Sequence, residues 1–437
     1  MKETMENGDA KVLPKYDPNS LQDMLPVYYK RLFPHKPFYR WLSYGLSEPG
    51  IFSNREISFT LADDIYIRYL CYDTESQMEK DICSRNPVKI DIGPVMQNKP
   101  SVLRMSSKAM IPVQRELVFD IDMTDYDDVR TCCEGAAVCT KCWKFMTVAC
   151  KILDLALRED FGFEHILWVF SGRRGIHCWV CDPIARRLDS KGRSAVAEYL
   201  QVVSHAVSGD NNSSVRAIIG ERMHHSIKRA LKIIEPMFEE IVLEDQNLFG
   251  TAKGVGKLLQ MIPDENARKD VEAHLKKHEG ANSKTIWTTF TRFANSMRSQ
   301  AASTIWTRKM RNIVEEIQLA VVYPRLDINV TKGFNHLLKA PFCIHPSTGK
   351  LCVPFNANLA SKFDPTNVPT IVSLMEEINV FDEKSKDEDA PKDKSRIKDF
   401  KKTGMFKPVV VFEEFLRKLE KSYTSKAIEV SDTTLEF

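Results

Sequence analysis

The stretch Arg115-Glu116-Leu117-Val118-Phe119-Asp120-Ile121-Asp122 is the part of the sequence that most strongly specifies the fold. It is rich in Leu, Val, Phe and Ile and contains neither Pro nor Gly, which predicts a β-strand. Side chains alternate between the faces of a strand, so Asp120 and Asp122 share one face. Their neighbours Phe119 and Ile121 point into the core. Carboxylates about 6–7 Å apart repel each other by about 2–3 kcal/mol at an effective dielectric constant of about 20. A divalent cation such as Mg²⁺ or Mn²⁺ would relieve this repulsion. The pair alone also fits a solvated strand end.

A third acid far along the chain strengthens the metal interpretation. Asp327 lies in Pro324-Arg325-Leu326-Asp327-Ile328-Asn329-Val330, an apolar segment that we also predict to be a strand. Three strand-borne acids are typical of sites that hold two metal ions and a phosphoryl-transfer substrate. Asp125, Asp127 and Asp128 follow the first pair closely, but they stand in a polar turn and are interpreted as surface and loop acids.

A basic turn, Ser171-Gly172-Arg173-Arg174-Gly175-Ile176-His177, joins two predicted strands, His165 to Phe170 and Ile176 to Cys181. Its two glycines permit a tight turn with exposed backbone amides, and arginine forks match phosphate oxygens. The alternation of the second strand places His177 on the face opposite Ile176. A triphosphate fits this combination, and an ordinary solvated turn is the alternative.

Four cysteines are clustered between positions 132 and 142, in the pattern Cys132-Cys133-x5-Cys139-x2-Cys142. Four thiolates can close a tetrahedral zinc site, and such a closed site is structural because it leaves no open coordination position. A redox pair or a chance cluster is the alternative. The predicted zinc site would secure the loop that leaves the strand of Asp122.

The composition limits the class of protein. The 437 residues carry 62 Lys+Arg against 59 Asp+Glu, a formal net charge of +3, which excludes a histone-like polycation but not a nucleic-acid enzyme. No apolar run approaches the roughly 18–20 residues of a membrane span, and Met1 to Pro14 lacks the apolar core of a signal peptide, so we expect an intracellular protein. In a reducing compartment the isolated cysteines are expected to be buried free thiols; they are Cys150, Cys178, Cys181, Cys343 and Cys352.

Patterning along the chain predicts a mixed α/β core that is interrupted by a helical insertion, without an internal repeat. The local predictions are helices over Leu21–Phe33, Lys141–Arg158 and Val409–Leu419, and a hairpin of Glu56–Leu61 with Ile65–Leu70. Phe412, Phe415, Leu416 and Leu419 share one face of the last helix, which we expect to dock on the chain's own core. The predicted divisions are a disordered leader 1–16, a first core part 17–189 with the zinc motif 132–142, a helical subdomain 190–322, a second core part 323–380, a charged linker 381–404 and a C-terminal helix and tail 405–437.

Taken together, these motifs resemble the catalytic (small) subunit of eukaryotic DNA primase, within the archaeo-eukaryotic primase superfamily. The resemblance is carried by E-L-V-F-D-I-D-M-T-D-Y-D-D-V-R, the Cys-Cys cluster, F-S-G-R-R-G-I-H-C-W-V, P-R-L-D-I-N-V-T-K-G-F-N-H-L-L-K-A-P-F, R-E-I-S-F-T-L and D-D-I-Y-I-R-Y, in family order from about Leu21 to Phe355. It implies an α/β (α+β mixed) fold with a mixed β-sheet, a zinc-binding motif and an inserted helical subdomain. It also implies synthesis of short RNA primers from ribonucleoside triphosphates on single-stranded DNA, for replication initiation and lagging-strand synthesis.

The same resemblance implies roles for individual residues. Asp120, Asp122 and Asp327 would hold two Mg²⁺ or Mn²⁺ ions for nucleotidyl transfer, and Glu56 matches an active-site glutamate, although a hairpin glutamate is more often simply exposed. The implied zinc ligands are Cys132, Cys133, Cys139 and Cys142. The implied nucleotide-binding residues are Ser171, Gly172, Arg173, Arg174, Gly175, His177, His336, Lys339, His345, Arg68, Asp91 and Arg325, with surface ion pairing as the alternative for Arg68 and Asp91.

The resemblance further implies nuclear localisation, no membrane association, and two protein partners: the primase large (regulatory) subunit and DNA polymerase α with its accessory subunits. Two rival functions remain open at this point. A metal-dependent glycosyltransferase also uses an Asp-x-Asp pair, but it does not account for the third acid, the basic turn and the cysteines together. A zinc-bearing scaffold of a replication complex with vestigial acids is the non-enzymatic alternative.

Overall fold

The computed structural model describes residues 15–104, 109–207, 213–217, 219, 222–299, 305–387 and 397–435. Most of the predicted leader and the middle of the predicted charged linker therefore lie outside the described residues. The helices are α1 Leu21–Val27, α2 His35–Ser43, α3 Glu75–Arg85, α4 Pro100–Arg104, α5 Thr140–Glu159, α6 Pro183–Arg186, α7 Ser190–Leu200, α8 His225–Phe238, α9 Ala252–Gln260, α10 Glu265–Leu275, α11 Ser283–Ser299, α12 Ile313–Val322, α13 Ile328–Lys332, α14 Ile371–Asp387 and α15 Phe406–Leu435.

The strands form two sheets and a separate hairpin, and the pairings between the described strands are antiparallel. They are β1 Arg55–Thr60, β2 Tyr66–Leu70, β3 Lys89–Met96, β4 Pro112–Gln114, β5 Leu117–Asp122, β6 Ile166–Phe170, β7 Gly175–Val180, β8 Val203–Val207, β9 Ser213–Ala217, β10 Leu338–Lys339 and β11 Pro354–Phe355. The first sheet has the order β10-β3-β1-β2 with β4 beside β3, and the second has the order β11-β6-β7-β5. This combination of helices and sheets confirms the predicted mixed fold class.

Strand β5 is an edge strand of the second sheet and follows the predicted alternation. Phe119 and Ile121 are fully buried, whereas Asp120 and Asp122 on the other face keep partial access to solvent. In the antiparallel register with β7, Asp120 lies opposite His177 and Asp122 lies opposite Gly175. The ladder therefore brings the acidic strand end and the basic turn to the same place.

The long helix α5 supports the sheet from behind with one apolar side. Met146, Ala149, Ile152 and Leu153 are buried, as their helical spacing predicted. Gly162 adopts a φ of 69° just after the helix, a left-handed conformation that glycine enters without a steric penalty. The predicted first helix is also confirmed, as α1 followed by the π-helical turn Tyr28–Leu32.

The C-terminal helix α15 docks on the chain's own core, as predicted. Phe412, Leu416 and Leu419 are buried, and the Phe412 ring lies 5.3 Å from Phe342 and 6.1 Å from Trp41 between centroids. Arg40 on α2 donates two hydrogen bonds to the carboxylate of Glu420, which ties the helix to the N-terminal part of the chain. The isolated cysteines at 150, 178, 181, 343 and 352 are buried free thiols, also as predicted.

Three local features differ from the sequence predictions. Asp327 is not on a strand, because it caps the N-terminus of the short helix α13 and accepts a hydrogen bond from the Asn329 amide. Its Asp-x-Asn spacing favours this cap over an extended chain. The helical subdomain contains the β8–β9 hairpin, which was not anticipated. The first residues of the predicted linker continue α14 to Asp387, and Asp382 and Asp399 both pair with Arg31, which holds the two flanks of the charged segment together.

Candidate active site

Four aspartates line one cavity of about 420 Å³, namely Asp120, Asp122, Asp125 and Asp327. Asp120 and Asp122 reach it from β5, and Asp327 reaches it from the first residue position before α13. The backbone amide of Asp327 donates to the carbonyl of Asp120 over 3.3 Å, so the sequence-distant third acid is bonded directly to the first. The structure thus brings together the three acids that were singled out as metal ligands.

The electrostatics of the three acids are unequal. Burial, with the negative charges of Asp122 and Asp327, raises the pKa of Asp120 to about 7. Burial also raises the pKa of Asp122, but hydrogen bonds from Thr124 and Arg174 outweigh it and lower that pKa overall. Burial is thus the main cause of the high pKa of Asp120, and the charges of the neighbouring acids add to it.

Hydrogen bonds join helix α13 to β5 and to Arg115, which lies just before that strand. The Thr331 hydroxyl donates to the Val118 carbonyl over 2.7 Å, and the buried Arg115 guanidinium donates to the carbonyls of Val330 and Gly333 at the end of the helix. Arg115 is 1% exposed, and burial together with the nearby Arg193 lowers its pKa to about 9. These bonds set the distance between Asp327 and the two acids of β5.

The basic turn folds onto the end of β5. Arg174 donates from Nε to both carboxylate oxygens of Asp122, at 2.7 and 2.9 Å. Gly172 has a φ of 87°, and a Cβ there would lie 2.7 Å from the Cβ of His345, so only glycine fits this position. A Cβ on Gly175 would lie 2.4 Å from the Ile121 carbonyl, which explains the second glycine.

Lys339 and two neutral imidazoles adjoin the turn. The Lys339 ammonium donates to the Ser171 carbonyl over 2.6 Å. His177 is 5% exposed, and burial together with the Lys339 charge lowers its pKa to about 3. Burial and the charges of Lys339, Arg173 and Arg174 likewise lower the pKa of His345 to about 3. Since both rings are neutral at physiological pH, the 3.7 Å approach of His177 to Asp120 is a polar contact and not an ion pair.

The remaining predicted nucleotide residues lie on the first sheet or beside the cavity. Asp91 is buried, pairs with Lys89, and lies opposite Lys339 in the β3–β10 register. Burial raises its pKa despite those two lysines. Glu56 is fully buried and forms a two-pronged ion pair with Arg68, so the alternative of an exposed hairpin glutamate is wrong. His336 is exposed.

The acids of the loop after β5 are not free surface groups. Asp128 pairs with the buried Arg325 guanidinium, which also donates to the Asp125 carbonyl and stacks 5.0 Å from the Tyr126 ring. Asp127 pairs with the buried Arg130. Asp128 is exposed and Asp127 is half-buried, as expected of surface and loop acids, but each one also compensates a buried arginine. Arg325 lines the cavity, but its charge is engaged by Asp128.

The four clustered cysteines converge, with their Sγ atoms all within 4.8 Å of one another. Two of them begin α5, where the Cys139 amide donates to the Cys142 sulfur over 3.3 Å. Gln246 donates to the Cys132 sulfur over 3.4 Å, and Arg130 approaches the Cys142 sulfur at 3.9 Å while it binds the carbonyls of Gly135 and Ala137. These donors favour thiolates, so the cluster could hold a zinc ion.

Sequence reasoning missed part of the cavity wall. Gln201 lines it from the end of α7, and Val203 and Val215 line it from the β8–β9 hairpin. The available indication of this hairpin was the turn sequence Gly209-Asp210-Asn211-Asn212, with Val203 and Val207 before it and Val215 after it. Thr124 was also missed; its amide and hydroxyl both bind Asp122, in the Asp-x-Thr spacing of a side-chain turn.

The site combines carboxylates around one cavity with neighbouring arginines, a lysine and neutral imidazoles. A nucleotidyltransferase needs such groups for its cations and its phosphates. This chain is an enzyme of that class. The family of the DNA primase small subunit matches residues 119–357. The chain is 67% identical to the DNA primase small subunit of Drosophila melanogaster over 417 residues, which cover 95% of each protein.

Two further relatives have the same description. The DNA primase small subunit of Schizosaccharomyces pombe is 40% identical over 80% of this chain and 77% of its own, and that of Caenorhabditis elegans is 37% identical over 92% of this chain and 98% of its own. The chain therefore belongs to the DNA primase small subunit family. Within the described ranges, there is no helix with the length and apolar character needed to cross a membrane.

Proposed function

We propose that this chain synthesises short RNA primers from ribonucleoside triphosphates on single-stranded DNA, by nucleotidyl transfer at Asp120, Asp122 and Asp327. The observation that supports it best is the shared cavity of these acids next to the basic turn. Neither rival function explains this combination, and membership of the primase family favours primer synthesis over both a glycosyltransferase and a scaffold.

The acids fit a pair of divalent cations. Their donor atoms are oxygens only, which suits Mg²⁺ or Mn²⁺, and all three acids line the same cavity. Bound there, such cations would lower the pKa of a ribose 3′-hydroxyl and neutralise the phosphates that it attacks. Arg174 occupies Asp122 in this structure, so cation binding would release its guanidinium toward a phosphate.

The chain's other groups would bind and orient the triphosphate. Arg173 and Arg174 offer guanidinium forks, and Lys339 offers a compact charge that the Ser171 carbonyl already orients. Neutral His177 and His345 can each donate one ring N–H to a phosphate oxygen without adding charge. These donors would stabilise the negative charge that develops on the leaving pyrophosphate.

We further propose that zinc occupies the four-cysteine cluster and has a structural role. Its thiols connect the loop after β5 to the start of α5, and Gln246 fastens that loop to the helical subdomain through the Thr131 and Cys132 amides. The cluster lies outside the lining of the carboxylate cavity. Zinc binding there would hold the loop in place without contacting the substrate.

The family also supports proposals about the cellular setting. We propose a primase large subunit and DNA polymerase α with its accessory subunits as partners, and action in the nucleus at replication initiation and on the lagging strand. The net charge of +3 is small for a nucleic-acid enzyme and supports reliance on a partner for template binding. We propose Mg²⁺ or Mn²⁺ and Zn²⁺ as the cofactors.

The decisive experiment measures incorporation of labelled ribonucleotides on a poly-pyrimidine DNA template with Mg²⁺ or Mn²⁺. Asp122→Asn is expected to abolish incorporation while zinc content and thermal unfolding stay unchanged. The matched control is Asp23→Asn, which alters an exposed acid on α1 and should retain full activity. Near-normal incorporation by Asp122→Asn would refute the assignment of the carboxylates.

A further inference from the structure

The basic turn rests on a second turn, residues 345–349, which we call the support turn. The Thr348 hydroxyl of the support turn donates to the Gly172 carbonyl over 2.6 Å. A Cβ on Gly172 would lie 2.7 Å from the Cβ of His345, so the two turns are in close contact along their backbones. Because the contact leaves no space between them, the position of the support turn sets the position of the basic turn.

The support turn also decides which ring nitrogen of His345 carries the proton. The Gly349 amide donates to the His345 carbonyl over 2.9 Å and closes the turn, and the Ser347 amide donates to the His345 Nδ1 over 3.2 Å. Burial and the neighbouring cations lower the pKa of this ring to about 3, so it is neutral at physiological pH. A neutral ring that accepts at Nδ1 has its one proton on Nε2, which is then the atom that can donate to a phosphate oxygen.

Tyr16, in the N-terminal segment, holds the support turn from the side. Its hydroxyl donates to the Pro346 carbonyl over 2.6 Å. Its ring lies against Gly349, where a Cβ would come within 2.5 Å of the ring Cδ2, so a residue with a side chain there would displace the ring. Burial and the Asp17 charge raise the pKa of Tyr16 to about 12, and the hydroxyl therefore keeps its proton and remains a donor at neutral pH.

The N-terminal segment is itself anchored beside the support turn. Asp17 accepts from the Asn19 amide and caps a short helical turn that leads directly into α1. Just beyond the end of α1, the buried Tyr28 hydroxyl donates to the Phe342 carbonyl over 2.6 Å, shortly before the support turn begins. Two tyrosines, one on each side of α1, thus bind the same stretch of chain, and Tyr16 cannot leave the support turn without a movement of this segment.

We propose that Tyr16 is a positioning residue of the triphosphate site, which acts through the support turn to hold His345 and the basic turn in the geometry that binds phosphate. Tyr16 is not among the described residues that line the carboxylate cavity, so its effect reaches the nucleotide only through the turn. This inference rests on the proposed function. It assigns a part in nucleotide binding to the last residue of the segment that the sequence predicted to be a disordered leader.

The kinetic test separates positioning from general stabilisation of the fold. In extension of an RNA primer annealed to a DNA template, Tyr16→Ala should raise the KM for the ribonucleotide by about fivefold or more, and should change the KM for primer–template by less than about twofold. Tyr16→Phe keeps the ring against Gly349 and loses only the hydrogen bond, so it should restore most of the nucleotide affinity. An unchanged nucleotide KM in Tyr16→Ala would overturn the proposal.

Each variant has a matched control. Tyr29→Phe removes a hydroxyl that donates to a different backbone carbonyl, that of Pro87, over the same 2.6 Å. Tyr39→Ala removes a half-buried ring that packs on Phe52, 4.7 Å away between centroids. Both controls should lower the unfolding temperature and leave the nucleotide KM unchanged. A nucleotide KM that rises as much in the controls as in the Tyr16 variants would assign the effect to lost stability and overturn the proposal.

A double-mutant cycle tests the route through the support turn. Thr348→Val removes the bond from the support turn to Gly172 and should also raise the nucleotide KM. If Tyr16 acts through this turn, the combined variant should show a smaller rise in KM than the product of the two single rises, because both changes release the same contact. Rises that multiply in full would show independent effects and overturn the proposal.

A direct measurement requires no activity. In a chain labelled with the heavy nitrogen isotope in its histidines, the nuclear magnetic resonance signals of the His345 ring, identified by their loss in His345→Gln, report which ring nitrogen carries the proton. The unsubstituted chain should show the Nε2–H form, and Tyr16→Phe and Tyr16→Ala should show increasing exchange between the two forms. Identical ring signals in all three proteins would overturn the proposal. Failure of the unsubstituted chain to incorporate any ribonucleotide would instead overturn the proposed function, and the ring signals would still test the role of Tyr16.

Discussion

Replacing Thr331 by Val removes one of the bonds that hold α13 against β5. The Thr331 hydroxyl is buried, 1% of the residue being exposed, and donates to the Val118 carbonyl over 2.7 Å. Valine has nearly the same shape, so the change removes the hydrogen bond without opening a cavity. Because Asp327 caps the other end of the same five-residue helix, we expect its position relative to Asp120 to loosen.

The size of the effect follows from the energy of the lost bond. A buried neutral hydrogen bond contributes about 0.5–1.5 kcal/mol net, and 1.4 kcal/mol corresponds to a factor of ten in an equilibrium constant. If the free energy of the lost hydrogen bond weakens metal binding by the three acids, the concentration of Mg²⁺ or Mn²⁺ for half-maximal activity should rise about two- to tenfold. The rate at saturating metal should change much less, because the acids themselves remain.

The assay is a metal titration of labelled ribonucleotide incorporation, with thermal unfolding measured in parallel. Thr147→Val is the matched control, since the buried Thr147 hydroxyl also donates to a backbone carbonyl, that of Ala360, at 3.3 Å and away from the cavity. Both variants should lose a similar amount of stability, but only Thr331→Val should need more metal. Equal metal requirements in the two variants would refute the idea that α13 sets the position of Asp327.

Three further predictions address other parts of the molecule. Arg174→Lys should raise the KM for the ribonucleotide about tenfold, because an ammonium cannot replace a guanidinium whose Nε binds Asp122 and whose fork would bind phosphate. An unchanged KM would contradict that role. Metal analysis should find about one zinc per chain. Cys139→Ser should lose the zinc and lower the unfolding temperature by several degrees. The control Cys150→Ser, which alters a buried isolated thiol, should keep the zinc. Burial raises the pKa of Glu116, but Arg55 and Tyr44 outweigh it and lower that pKa from 4.5 to about 2. The ionised Glu116 carboxylate therefore stabilises the fold fully above about pH 4.5, and this stabilisation is lost as the pH falls toward 2. Glu116→Gln should be less stable than the unsubstituted chain at pH 7. In acid unfolding measured by circular dichroism, the difference in stability between the two proteins should shrink between pH 4.5 and 2.

Features that depend on local sequence were predictable. Strand β5 and the helix α5 followed from their periods, and the tight turn at 171–175 followed from its glycines. The cysteine spacing predicted a cluster that the structure confirms in its geometry. Each of these features is set by residues within about twenty positions of one another, where alternation and turn chemistry act directly.

Features that depend on packing between distant segments were not predictable from the sequence. The burial of Glu56 beside Arg68, the pairing of Asp128 with Arg325, and the cap formed by Asp327 all needed the tertiary structure. The sequence does not distinguish a carboxylate that faces water from one that pairs with a buried guanidinium, because only the fold brings the partner close.

By itself, the sequence determined the acidic strand end, the basic turn, the four cysteines and the family that these motifs resemble. Only the tertiary structure decided how they combine. The β5–β7 register places Asp120 opposite His177, and helix α13 adds Asp327 from more than two hundred residues away. The β8–β9 hairpin adds Val203 and Val215 to the lining of the cavity that the acids share. Side-chain alternation is a property of a few consecutive residues. Strand register and cavity shape depend instead on how distant segments pack against one another throughout the core.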